Sequence, residues 1–171
     1  EMHGHLPQEP EKTYLNKQGD CKAKSVLFKT ILDYLGIESE IILVNYRADS
    51  FLHSYLPSLF AFNHVIVKIT HQDKSYYIDP TQTDRYGLLD RRGFTSFSSY
   101  LPIKAHQDLQ TYPPFEHPDY SLDEVINYQI ENNVGKLEIE GTYRFNRADR
   151  IRHYFKSTNK REIIDSWNNS I

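Results

Sequence analysis

Apolar positions along this chain are most regular between Lys22 and Leu35. There Val26, Leu27, Phe28, Ile31, Leu32 and Leu35 recur at the i, i+3, i+4 spacing of a helix with one wide buried face. Gly36 follows as a left-handed stop, and Asp20 precedes the run as an N-cap, which puts Cys21 in the first helical turn. The β-branched and aromatic stretch Ile41 to Tyr46 predicts a strand. His64 to Thr70 and Ser75 to Asp79 predict two more, joined by the turn His71-Gln72-Asp73-Lys74. With that turn symmetric about the Gln72–Asp73 bond, antiparallel pairing sets Ile66 opposite Asp79. His64 and Asp79 then become diagonal neighbours on one face, with Cα atoms roughly 7–8 Å apart, near enough for their side chains to meet.

Other stretches are less regular. Residues 1 to 18 are polar, carry Pro7 and Pro10, and read as an irregular lead-in in which His3 and His5 take no role. Ala48 to Asn63 has no clean period but holds Phe51, Leu52, Leu56, Leu59, Phe60 and Phe62. Such a loop is either tucked under the fold or forms a pocket wall, and its position just before His64 favours the wall. Pro113, Pro114 and Pro118 then punctuate a polar stretch, ahead of strands at Val125 to Ile130 and Lys136 to Arg144. From Arg147 onward Ile151, Tyr154, Phe155, Ile163, Ile164 and Trp167 fall at helical intervals without a clear stop. These shifts divide the chain into a core over residues 1–105 and a β-rich segment with a terminal helix over 106–171, read as incomplete.

Composition narrows the chemistry. The chain has 171 residues, 39% of them hydrophobic, enough for one sizeable core. Twenty basic and 23 acidic side chains leave a net charge of −3, which removes the bulk electrostatic case for a nucleic-acid partner. The exception is Arg144 to Arg161, with seven Lys or Arg against Asp149, and it reads as a solvated helix face. No apolar run reaches the ~18 residues of a membrane span. The chain opens on Glu1, so any leader lies outside it and localisation stays open. The single cysteine permits no internal disulfide and no four-thiolate zinc site, leaving a packed thiol or a reactive one.

A helix N-terminus favours the thiolate of Cys21, a nearby histidine can take its proton, and a carboxylate can hold the imidazole in the useful tautomer. Taken singly, His64 could merely begin a strand and Asp79 could merely start an Asp-Pro turn. Together, three strings in order decide otherwise: Gly19-Asp20-Cys21-Lys22-Ala23-Lys24, Phe62-Asn63-His64-Val65-Ile66-Val67 and Tyr77-Ile78-Asp79-Pro80-Thr81. The chain resembles the bacterial transglutaminase-like domain, strongly over about residues 15 to 90, in the version that larger bacterial proteins place between β-rich regions.

The resemblance implies an α+β, papain-like fold in which a helix bearing Cys21 packs on an antiparallel sheet bearing His64 and Asp79. It also implies attack on a peptide-type amide through an acyl-thioester, with water or an amine as acceptor, a protein or peptide as substrate and no cofactor. It points to the bacterial periplasm or cell envelope. Family members carry helical sequence upstream of the cysteine, where this chain has 20 residues. The backbone N–H of Cys21 is the natural oxyanion donor, and Gln18 is the candidate for a second. A zinc site from Cys21, His64, Asp79 and His53 has suitable ligand types but lacks a short two-ligand spacing to anchor it. The rival functional class is a transglutaminase-like binding module with weak or lost chemistry.

Overall fold

In a computed structural model, residues 6–89, 97–112 and 122–169 are described. His3 and His5 lie outside them, as do Pro113, Pro114 and Pro118. The stretch read as an irregular lead-in holds a short helix, α1 (Pro10–Asn16). Proline is suited to a first helical turn, since its missing N–H would have no partner there anyway. Lys17 in the left-handed conformation ends α1 after two turns.

Helix α2 (Cys21–Tyr34) begins at the expected cap: the Asp20 carboxylate accepts the Ala23 N–H at 2.9 Å. Its end is closed by the Gly36 N–H to the Asp33 carbonyl and the Ile37 N–H to the Leu32 carbonyl, with Gly36 at φ +70°. The buried stripe is narrower than its apolar pattern predicts. Ala23, Ser25 and Leu32 are buried and Phe28 packs inward, whereas Ile31 and Leu35 are 43% and 61% exposed. Leu32 meets the sheet, and Ile31, about 100° round the helix from it, turns to solvent.

Five antiparallel strands form one sheet in the order β3-β2-β1-β4-β5, namely β1 (Ser39–Val44), β2 (His64–His71), β3 (Lys74–Ile78), β4 (Ser99–Pro102) and β5 (Gln110–Thr111). The β2–β3 turn has Gln72 and Asp73 both at positive φ, the two-residue hairpin geometry whose twist suits flanking strands. Val67 pairs with Ile78, so the register is the one expected from a symmetric turn. One face buries Val67 and Ile69 against Leu32 and Phe28 of α2. Ile42, Val44 and Ile66, at most 1% exposed, alternate with that set and occupy the other face, where Tyr77 packs against Tyr100 and Tyr112.

Strand β1 stops two residues short of its expected end. Asn45 turns the chain there, because its Oδ1 accepts the N–H groups of Arg47 and Ala48. Beyond the turn, residues 48–63 contain two 3₁₀ segments, Asp49–Ser54 and Leu59–Ala61. Ala48, Leu52 and Ala61 bury together with Phe62 and Leu109 packed on them, so part of the loop is tucked in. The same loop also lines a groove of about 630 Å³, with Leu52, Leu56, Phe62 and Leu101 among its walls.

The chain divides into two compact units, Glu1–Thr83 with Ser96–Phe115, and Asp84–Thr95 with Glu116–Ile171. The second contains the hairpin β6 (Leu122–Glu131) and β7 (Val134–Tyr143), turned by Asn132 and Asn133 at positive φ. Two helices follow where the pattern predicted one: α3 (Phe145–Ser157) and α4 (Lys160–Asn168). The break is a cap, since Asn159 Oδ1 accepts the Glu162 N–H at 3.0 Å and restarts the helix. In the basic run, Arg144 pairs with Asp123 and Lys156 with Asp84, and Arg152 and Lys156 each lie 5.4 Å from the Tyr86 ring centre. The described part is mixed α+β, and none of its helices is long and apolar enough to cross a membrane.

Candidate active site

Cys21 is the first residue of α2, His64 the first of β2, and Asp79 the residue after β3. Three features bring them together. Ser25, fully buried one helical turn after Cys21, donates its hydroxyl to the Val65 carbonyl at 3.1 Å and pins the start of α2 to the start of β2. The hairpin register sets Asp79 diagonal to His64. Gly19, before the cap, lets α1 and α2 approach: a Cβ there would lie 2.9 Å from both the Ala23 Cβ and the Thr13 Cγ2.

His64 Nε2 lies 2.9 Å from Asp79 Oδ2, with the imidazole 13% and the carboxylate 2% exposed. That bond uses Nε2 as the donor, which leaves Nδ1 as the nitrogen available to the thiol. The hydrogen bond with His64 is the largest influence on Cys21 and lowers its pKa below the usual 9.0, outweighing burial, which raises it. The His64 charge and the Val65 N–H act in the same downward direction. Burial alone would depress the His64 pKa, but the bonds to Asp79 and Cys21 prevail and lift it from 6.5 to about 9. Both shifts run toward a thiolate–imidazolium pair, the thiol becoming more acidic and the imidazole more basic.

Asp79 is burdened by burial, which raises its pKa, yet its hydrogen bonds hold it well below the usual carboxylate range. Besides His64, Oδ2 accepts from the Tyr46 hydroxyl at 2.7 Å and from Gln82 Nε2 at 3.1 Å. Oδ1 accepts the Thr81 hydroxyl at 2.6 Å and the Thr81 N–H at 2.9 Å. Tyr46, Thr81 and Gln82 were not anticipated. Asp-Pro-Thr carries a signal for Thr81, because an aspartate commonly caps the N–H two residues on. Nothing local signals Tyr46, which reads simply as a strand aromatic.

Gln18 is exposed on the connection between α1 and α2, and its backbone carbonyl accepts from Gln8 Nε2 at 3.3 Å. It lines a cavity of about 220 Å³ with Leu6, Gln8, Gly19, Asp20 and Ala23, a lining that includes none of Cys21, His64 and Asp79. His53, weighed above as a fourth ligand, bonds instead through Nε2 to Ser99 Oγ at 3.0 Å. Among the described residues, no group of three or more His, Cys, Asp or Glu side chains is placed to hold a metal ion.

Compared with protein-family models, with curated proteins and with solved structures, the chain gives no match.

Proposed function

We propose that this chain is a thiol-dependent acyl-transfer enzyme acting on peptide-type amides, with Cys21 as nucleophile, His64 as acid and base, and Asp79 as the group that orients the imidazole. The observation that carries this reading is the His64 Nε2 bond to Asp79 at 2.9 Å, which leaves Nδ1 to serve Cys21, itself the first residue of a helix. The sequence resemblance to the transglutaminase-like family, and with it a papain-like arrangement of helix on sheet, supports the same conclusion.

In the proposed reaction the Cys21 thiolate attacks the amide carbonyl, and the oxyanion that forms is met by backbone N–H groups such as that of Cys21 itself. The imidazolium of His64 gives its Nδ1 proton to the departing amine as the carbon–nitrogen bond breaks, leaving an acyl-thioester. His64, now neutral, takes a proton from water or from an incoming amine. That nucleophile displaces the thiolate, giving an acid or a new amide and restoring the thiolate–imidazolium pair.

Iodoacetamide alkylation tests the reading directly. Cys21 in the folded protein should react at pH 6 well above the rate of a free thiol, and Cys21→Ala should remove all labelling. A rate equal to that of a free thiol would return Cys21 to a packing role and leave the fold as a binding module.

A further inference from the structure

Tyr46 is held at both ends. Its N–H donates to Asn63 Oδ1 at 3.0 Å, while its hydroxyl donates to Asp79 Oδ2 at 2.7 Å. Between these anchors its ring lies 4.6 Å from the His64 ring, tilted by 45°, with the buried Phe97 ring 4.7 Å away. Asn63 is itself fixed, since its Nδ2 donates to Asn45 Oδ1 and its N–H to the Val44 carbonyl. A tyrosine 41% exposed to solvent is thus more tightly bound than its exposure suggests.

The hydroxyl is not needed to satisfy the carboxylate. Two carboxylate oxygens offer about four lone-pair positions. Asp79 already receives His64, Gln82 and two donors from Thr81, so Tyr46 is a fifth. Its placement on Oδ2, the oxygen that holds His64, has a chemical consequence. A second strong donor draws charge from that oxygen, weakens it as an acceptor for the imidazolium and keeps it from taking the Nε2 proton.

We infer that Tyr46 is a positioning residue of this site, which covers the His64 ring and, by sharing Asp79 Oδ2, moderates the hold of the carboxylate on the imidazolium. The inference rests on the proposed acyl-transfer reading for its bearing on turnover, but not for its bearing on His64. The charged and titratable groups facing the pair are Asp79 and Tyr46 themselves, Cys21, and Lys22, which is paired with Asp20 at 2.6 Å on the same helix end.

Two substitutions separate ring from hydroxyl, read by NMR titration of His64 in a Cys21→Ala background and by the pH profile of Cys21 alkylation with the cysteine present. Tyr46→Phe keeps the cover and removes one donor from Oδ2, leaving it to His64 and Gln82. The His64 pKa should rise by a few tenths of a unit, the acid limb of alkylation should move down in pH, and turnover of an amide substrate should fall several-fold because the imidazolium releases its proton less readily. Tyr46→Ala removes the cover as well. Water admitted to the His64–Asp79 pair screens its attraction by more than the relieved burial returns, so His64 should titrate nearer 6.5, the alkylation limb should move up, and turnover should fall about 100-fold or more. A merely structural tyrosine would lower melting temperature without moving either titration. If both variants fold and His64 titrates as in the parent, the inference is overturned. Failure of the acyl-transfer reading looks different: the His64 titration still responds to both variants, while the parent Cys21 alkylates like a free thiol.

Discussion

Ile42, Val44, Ile66 and Val67 of the five-stranded sheet are at most 1% exposed, whereas Ile126, Tyr128 and Ile130 of the β6–β7 hairpin are 58%, 65% and 67% exposed. The residue types are alike and the strands are well formed in both places. What differs is layering. The sheet has α2 on one face and aromatic side chains on the other, while the hairpin register gathers Leu122, Ile126, Tyr128 and Ile130 with Leu137, Ile139 and Tyr143 on one face of two strands. Within the hairpin, Tyr128 and Tyr143 lie over Gly135 and Gly141 and partly fill that face. Strand formation is therefore a local matter, but burial depends on what is stacked above. The candidate site belongs to the layered unit, where buried hydrogen bonds can hold side chains in one geometry.

The strongest way to break this comparison is through the buried carboxylate. Asp79→Asn should reduce amide turnover by about 10³- to 10⁴-fold, because a neutral amide can donate to His64 and favour the wrong tautomer while withdrawing the charge that supports imidazolium. Alkylation of Cys21 at mildly acidic pH should fall as well. Unchanged turnover and alkylation in folded Asp79→Asn protein would return Asp79 to a turn residue.

Paired truncations sharpen the contrast in layering. Ile66→Ala removes a side chain 1% exposed and should cost about 2–5 kcal/mol in denaturant unfolding. Ile126→Ala, at a position 58% exposed, should cost less than about 1 kcal/mol. Equal losses would mean that the hairpin face is covered in solution.

Smaller effects are expected where α1, α2 and β2 meet. Gly19→Ala drives a Cβ to within 2.9 Å of Ala23 and Thr13 and should cost about 1–3 kcal/mol, together with slower alkylation of Cys21 as its helix shifts. Ser25→Ala loses one buried hydrogen bond, worth about 1 kcal/mol, and loosens the tie between the cysteine helix and the histidine strand.

The titrating groups give a last, graded test. The His64 pKa is raised, so its contribution to stability is fully present below 6.5 and is lost as pH rises through about 9. The Asp79 pKa is lowered, so its contribution is present above 3.8 and is lost as pH falls through its depressed value. Melting temperature should thus decline as pH rises from 6.5 through about 9, and in Asp79→Asn, where the folded His64 loses the carboxylate that raises its pKa, that decline should shrink. An alkaline limb that ignores Asp79→Asn would uncouple the two residues.

Much of this is legible in the sequence. Asp20 before an apolar period marked the start of α2, and the four-residue stretch from His71 to Lys74 set the β2–β3 register. Other features were misread for identifiable reasons. Helix α1 is short and polar, so it shows no apolar period, and Pro10 looked like a breaker when it stands at a first turn. Asn159 and Glu162 carried a cap signal that divides the final helix, but the apolar spacing ran across it. Strand β1 looked longer than it is because Tyr46 has strand character, whereas Asn45 diverts the backbone.

By itself the sequence determined whatever neighbours along the chain decide: the α2 cap, the turns, and the hairpin that places His64 diagonal to Asp79 across 15 residues. Only the tertiary structure decided which distant groups join them. Ser25 meets Val65 across 40 residues and Tyr46 meets Asp79 across 33. The physical reason is that caps and two-residue turns follow from local backbone preference, which residue type reports. Contacts between separate elements depend instead on how layers stack and which side chains fill the space between them, and no local pattern encodes that.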